Sequence, residues 1–294
     1  MAGVKNYIYL IIAGALAGII GIFVKLIGGN VPVMTLMFYR MFFAFILVLI
    51  VVPFLDKNWY KVNRRDLRHF FIVAVVMTVT FTLFVAANLF VPVQNVVLIT
   101  NFSPFIVLIL AALFLNEKIT KTKIITLIVG IVGIAIINPF RFGENALGNY
   151  LALGQAALYS VLIILMRKEN REHKIGAIIW FFLFATLILL PFPFIYGLGN
   201  LSGSVMWYVL GLGILSTGVT YLFHNLALEK IGAEISSIVI MISMPLAGII
   251  GAFIILGEDL NVRVITGGVI LIIAGIYLQA HEKNLKGAVR KFFK

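Results

Sequence analysis

The chain has 294 residues, of which 62% are apolar and 12% charged, against roughly 45–50% and about 25% in soluble domains. With a mean hydropathy of +1.13, these values exclude an ordinary soluble enzyme, a disordered chain and a lone anchor on a soluble domain, and they indicate a polytopic membrane protein. There is no cysteine, hence no disulfide, thiolate metal site or cysteine nucleophile. The formal net charge is +12, and most basic residues sit in short loops between apolar runs, which reads as a topology signal and not as a nucleic-acid surface.

A spanning helix needs about 20 apolar residues, and ten such runs follow one another. The first, 6–27, carries Gly14 and Gly18 at GxxxG spacing and ends near Lys25. With Gly28-Gly29-Asn30 beyond it, this run reads as a span and not as a cleaved leader. The second, 32–54, contains Arg40, and the third is 69–90. The fourth, 94–115, contains Gln94, Asn95, Asn101, Ser103 and Pro104, and the fifth is 122–138. The sixth, 149–166, holds Gln155 and Tyr159; the seventh, 175–196, holds Trp180. The eighth, 204–228, holds Tyr221, His224 and Asn225; the ninth, 233–256, holds Ser243 and Pro245; the tenth is 261–280. None shows the period-2 alternation of barrel strands. The expected fold is all-α and integral to the membrane, with ten transmembrane helices. Assigned by loop parity, 19 Lys and Arg fall on one side and 2 on the other, with Lys25 and Arg40 inside spans. The positive-inside rule then places both termini in the cytoplasm of a multi-pass plasma-membrane protein.

The two halves of the chain repeat. Asn6-Tyr7 and Asn149-Tyr150 open the first and sixth spans, and at the same offset Leu10 matches Leu153 and Ala13 matches Ala156. In the fourth and ninth spans Pro104 matches Pro245 and Glu117 matches Glu258, so that a Pro-x12-Glu spacing occurs in both. Residues 1–138 form one five-helix repeat and 149–281 the other, joined by the linker 139–148 and followed by a basic tail, 282–294. Five is odd, so the copies are inverted in the membrane, an architecture of many secondary transporters.

The segments KLIGGNVPVMTLMFYR (25–40), NFSPFIVLILAALFLNEKIT (101–120) and MISMPLAGIIGAFIILGEDL (241–260) resemble the EamA-type permeases of the drug/metabolite transporter superfamily, and the resemblance covers essentially the whole chain. It implies ten helices in two inverted five-helix repeats around a central cavity, and transport of small metabolites, often export. The first span has no Asp or Glu, so the membrane carboxylate with which small multidrug-resistance proteins carry protons is missing.

Polar residues inside spans are the candidates for function. Arg40 costs about 2.5–3.5 kcal/mol near a bilayer centre on insertion scales; it either ties to groups on neighbouring helices or serves as a cavity cation for a substrate carboxylate or phosphate. Pro104 and Pro245 each remove a backbone donor and clash with the carbonyl four residues back; they are either packing kinks or, as their paired positions favour, two pseudo-symmetric cavity walls. Gln94, Asn101, Ser103, Tyr159, Trp180, His224 and Ser243 complete the cavity candidates. The gate candidates are paired: Lys168 with Glu117 at the cytoplasmic face and Lys25 with Glu258 at the outer face, each pair crossing between halves. A carboxylate at a helix C-terminus faces the negative end of the dipole and is disfavoured unless a cation is near; the alternative is that each Glu caps the next helix or meets only water. HExxH, GxSxG and P-loop patterns are absent, leaving no metal, cofactor, catalytic residue or ATP-driven step to expect. The expected partners are a small-molecule substrate and membrane lipid, not nucleic acid, and a homodimer is compatible with the sequence. The expected function is a secondary transporter, an exporter of a small polar or amphipathic metabolite such as an amino acid; the alternative is a transporter-like scaffold or sensor without flux.

Overall fold

The structure, a computed structural model, describes residues 4–115, 121–137, 146–168, 175–231 and 233–292. Among these residues every regular element is helical, as a lipid environment demands of a backbone that must satisfy its own hydrogen bonds. Ten helical segments follow in chain order. Helix α1 is Val4–Asn30, α2 Val33–Leu55 and α3 Arg64–Phe90. Helix α4 comes in two pieces, Val93–Thr100 and Ser103–Leu115, and α5 is Lys121–Ile137. Helix α6 is Ala146–Lys168, and α7 is Ala177–Tyr196. Helix α8 runs through Ser204–Leu210, Gly211–Val219 and Thr220–Ile231, α9 is Ala233–Leu256 and α10 is Val262–Phe292. Seven of them are long and apolar enough to cross a membrane, and three shorter apolar stretches lie in α4, α5 and α10.

Local chemistry explains where the boundaries depart from the hydropathy reading. Helix α3 starts five residues before the apolar run because Asn63 and Asp66 form a capping box: the Asn63 side chain accepts from Asp66 N (2.8 Å) and Asp66 accepts from Asn63 N (3.3 Å). Its first turn therefore takes in Arg64 and Arg65, which hydropathy assigns to a loop. Pro32 and Pro92 stand at the N-cap positions of α2 and α4. Helix α10 continues through the basic tail to Phe292, and α6 begins at Ala146, inside the expected linker.

The principal packings all join one half to the other. Helix α1 packs on α8 and α9, and correspondingly α6 packs on α3 and α4. Helix α2 packs on α8 as α7 does on α3, while α2–α7, α4–α9 and α5–α10 are pairs of equivalent helices. Exchange of the two halves thus maps the contact set onto itself. The ends of the bundle reveal the inversion. Around Lys25 gather the C-terminal ends of α1, α7 and α9 and the N-terminal ends of α2 and α4: Lys25 meets Glu258, Val93 N meets Glu258, and Asn200 N donates to Asn30 O (2.7 Å). At the opposite end the α2–α3 loop meets the start of α7, where Trp180 Nε1 donates to Trp59 O (3.1 Å). Helix α1 therefore runs toward the Lys25 end, and its counterpart α6, which precedes α7, runs away from it.

Helices α1 and α9 approach closely through the GxxxG pair. A Cβ on Gly18 would run into Met244 O and come within 2.8 Å of Gly248 N, and one on Gly14 would collide with Ser243. In lipid such small-residue contacts replace the hydrophobic driving force between helices. The main core fills the space between α2, α3, α7 and α8 with Met37, Met41, Met77, Ile179 and Phe182, all nearly inaccessible.

Candidate functional site

At the Lys25 end, α9 stops at Gly257, whose φ of +66° belongs to the left-handed region that glycine enters without strain. The reversal carries Glu258 off the helix axis and onto the N-terminus of α4. Its Oε1 accepts from Val93 N at 2.9 Å, and Oε2 lies 3.5 Å from Gln94 N. Lys25 Nζ, in the last α-helical turn of α1 before the 3-10 turn Gly28–Asn30, lies 3.3 Å from Oε1. One carboxylate thus answers the positive dipole end of α4, two of its unpaired amides and a lysine of the first half. The Lys25 side chain is 29% exposed and that of Glu258 11%, so the pair is largely withdrawn from water. Gln94 adds a further tie, its Nε2 donating to Asp259 O at 2.8 Å. An open pocket of about 370 Å³ lies beside this cluster, lined by Gln94, Asn95, Glu258, Asp259, Asn261 and Arg263 among others.

Deeper in α4 the helix breaks at Asn101 and Phe102. Asn101 N is shared between Val97 O (3.3 Å) and Leu98 O (3.1 Å), and Pro104 falls in the first turn of the second piece, where a missing amide costs nothing. The sequence reading gave Pro104 and Pro245 the same role inside their spans, but only Pro245 lies within an uninterrupted helix. Helix α6 holds the break: Thr100 Oγ1 donates to Gln155 Oε1 (2.9 Å), and the single Ser160 hydroxyl proton is shared between Ser103 O (3.0 Å) and Ala156 O (2.7 Å). Asn101 is buried and its Nδ2 has no partner.

Arg40 lies in α2 roughly 10 Å from the Lys25 end, at about 1.5 Å per residue from Val33, and is 2% exposed. Its Nε donates to Thr217 Oγ1 at 2.9 Å, and the Thr217 hydroxyl donates to Leu212 O at 2.8 Å. That carbonyl lies five residues back because α8 is wound as a π-helix over Gly211–Val219. The guanidinium lies over the Phe81 ring, its carbon 4.8 Å from the centroid, and Tyr221 packs edge-on against Phe81 and Phe182.

The remaining candidates are spread through the bundle. Ser243 bonds back to Val239 O (2.8 Å) and sits against Gly14. Trp180 lies at the far end, 6.1 Å between centroids from Trp59. Tyr159 packs at the edge of the main core, and His224 is half-buried in α8. The structure brings Lys25, Glu258 and Gln94 together, while Arg40 belongs to a separate cluster with Thr217 and Phe81. Glu117 and the Lys168 side chain lie outside the described residues. Sequence reasoning missed the Val93 amide, Thr217 and Ser160; a threonine or serine bonded to a backbone carbonyl carries no mark in an apolar run. Pro92, a helix-starting residue one position before Val93, was the signal available for the amide.

The pattern of the EamA-like transporter family matches residues 4–138 and again 146–280. An uncharacterised transporter of Archaeoglobus fulgidus is 26% identical over 93% of this chain and 95% of its own length. The pseudopaline exporter of Pseudomonas aeruginosa is 22% identical over 89% and 91%, and the S-adenosylmethionine uptake transporter of Rickettsia bellii 26% over 88% and 88%. A solved crystal structure superposes with a TM-score of 0.68 over 93% of this chain and 95% of its own, at 15% identity, and so shares the fold. Inverted five-helix halves, a double match to one family and relatives named as transporters agree: the chain is a multi-pass membrane transporter rather than an enzyme, and it belongs to the EamA-like transporter family.

Proposed function

We propose that the protein is a secondary transporter of the plasma membrane, with both termini cytoplasmic, that exports a small polar or amphipathic metabolite such as an amino acid by alternating access. The observation that carries this reading is the lock of Lys25, Glu258 and the Val93 amide, which fastens α1 and α4 of one half to α9 of the other at a single end. Two inverted halves that pack almost wholly on each other have two pseudo-equivalent arrangements, and a polar lock at an end is what biases one against the other. Lys168 and Glu117 stand at the equivalent positions of the repeat and form the lock of the other end in this scheme. Export follows the pseudopaline exporter by analogy; the S-adenosylmethionine relative is named for uptake, so direction is a matter of gradients and gate balance on a shared scaffold.

The test is counterflow in proteoliposomes. Vesicles holding the purified protein and preloaded with a mixture of the twenty amino acids should accumulate at least one radiolabelled amino acid from outside, saturably, and E258Q should alter the rate. Absence of saturable exchange for all twenty, with protein that melts cooperatively, overturns amino-acid transport.

A further inference from the structure

We propose that Arg40 is a seat for a carboxylate, so that the transported metabolite carries an anionic group; this rests on the transporter reading and specifies its substrate. Arg40 is 2% exposed and inside a span, yet no Asp or Glu among the described residues pairs with it. Nor does the sequence offer one at that depth, because the eleven acidic residues lie in loops or at span ends. What holds the guanidinium is neutral: one hydroxyl on Nε and one aromatic face. Its Nη1 is buried with no hydrogen-bond partner. A buried donor on a charged group left unpaired is strongly disfavoured, and a cation without a counter-charge in the membrane region is rarer still. The donors left over point to an external acceptor with charge.

The surroundings support the same assignment. Thr217 holds the Nε corner and the Phe81 ring lies 4.8 Å from the guanidinium carbon, so the group is anchored before any ligand arrives. The corner that remains is the one suited to a planar carboxylate. Ser216, next to Thr217, is 1% exposed and its hydroxyl also has no partner. Both residues lie on the π-wound part of α8, a rare winding that is frequent at functional sites. Conversion of that segment to α-geometry would shift Ser216 and Thr217 relative to α2, which gives the closed guanidinium a route to opening. Lys25, the other cation that the apolar runs enclose, is already matched by Glu258; Arg40 has no such counter-charge among the described residues.

The experiment compares acids with their neutral amides on the full-length protein. Thermal unfolding is followed at constant ionic strength with acetate and acetamide, phenylacetate and phenylacetamide, and N-acetylphenylalaninate and its amide. At least one acid should bind tenfold or more tightly than its amide, and R40Q should bring that pair within twofold. If R40Q does not melt cooperatively, R40K and T217V carry the test. The first keeps the charge and loses the fork, the second keeps the arginine and loses its anchor, and each should cut the preference severalfold. Equal affinity within every pair, or a preference that survives R40Q, R40K and T217V unchanged, overturns the assignment. The two readings fail separately. Saturable flux of neutral metabolites without any acid preference removes the seat and leaves the transporter; acid binding abolished by R40Q without flux removes the transporter and leaves the seat.

Discussion

Replacing Glu258 by glutamine tests the lock with little change of shape. The glutamine carbonyl can still accept from Val93 N, so the backbone amide keeps a partner. What is lost is the charge: the charge-assisted part of the 2.9 Å bond, the dipole interaction with α4 and the attraction to Lys25 at 3.3 Å. Charge-assisted hydrogen bonds contribute about 1.5–3 kcal/mol against about 1 for neutral ones. A charge at a helix end adds about 0.3–1 kcal/mol, and an ion pair with partial exposure about 0–1 kcal/mol. The overlapping terms come to about 2 kcal/mol, which shifts a two-state equilibrium about thirtyfold at 1.4 kcal/mol per tenfold. The chain has no cysteine, so a single cysteine at Asn101, in the break of α4, reports access without background. In N101C the rate of labelling by a membrane-impermeant thiosulfonate applied from the Lys25 side should rise about tenfold to thirtyfold on adding E258Q. K25M should raise it severalfold, and the double variant should fall short of the product of the two, since they break one shared interaction. Full charge exchange should not restore the lock, because a lysine at 258 would face two helix-terminal amides. Unchanged labelling in E258Q, or strict multiplicativity of E258Q and K25M, refutes the reasoning.

At the α1–α9 crossing, G18A should lower the unfolding temperature by several degrees in a detergent melt, and G18L should abolish folded protein, because Met244 O and Gly248 N occupy the space a side chain needs. Where α6 holds the break in α4, Q155L should cost about 1–2 kcal/mol by stranding the Thr100 hydroxyl. The pair T100V and Q155L together should cost less than Q155L alone in the same melt, since no buried donor is left unmade. A phosphatase fused after Lys294 should be inactive and a fluorescent protein at the same place bright, as cytoplasmic termini require.

The fold was legible in the sequence because its cause is one-dimensional. Bilayer thickness sets a length, hydropathy finds it, and the odd helix count of each half forces inversion. What hydropathy missed is what short-range hydrogen bonding decides. The α3 start depends on Asn63 and Asp66; the winding of α8 joins Thr217 to a carbonyl five residues away; the break in α4 precedes Pro104 instead of being centred on it. The site was legible where charge marked it. Lys25 and Glu258 stood out as ions at helix ends, and the dipole argument asked for a cation near Glu258. It did not show that the carboxylate would also lie on the N-terminus of a third helix, because only the folded arrangement brings Val93 and Glu258, 165 positions apart, into contact. Ser243 and Trp180 were chosen by residue type and depth alone, which cannot distinguish a side chain facing Gly14 or a loop carbonyl from one facing a cavity.

That difference bears on how the proposed alternating access is balanced. A lock made only of an exposed ion pair is worth too little to hold one end shut against the gain of opening a wet cavity. A carboxylate on a helix N-terminus is worth more, and it is geometrically selective: Glu258 reaches Val93 only while α9 of one half and α4 of the other keep their register. In the proposed cycle, sliding of these two helices at the pseudo-twofold axis releases the amides and the lysine together, so the end opens as a unit. The exchanged lock must then offer a similar free energy at the other face, or one state would be trapped. Moving a population from 1:99 to 99:1 takes about 5.5 kcal/mol, and one lock of about 2 kcal/mol lies inside that limit. The repeat has kept Lys and Glu at both sets of positions, with Asn116, tolerant of the left-handed region, where Gly257 stands in the other half. In the proposed cycle two locks of matched chemistry leave the choice of open end to the bound metabolite, and N116G, which puts at 116 the residue that stands at 257, should bias the N101C labelling toward the Lys25 side. A bias toward the opposite side, or none, would show that the two ends are not coupled through these positions.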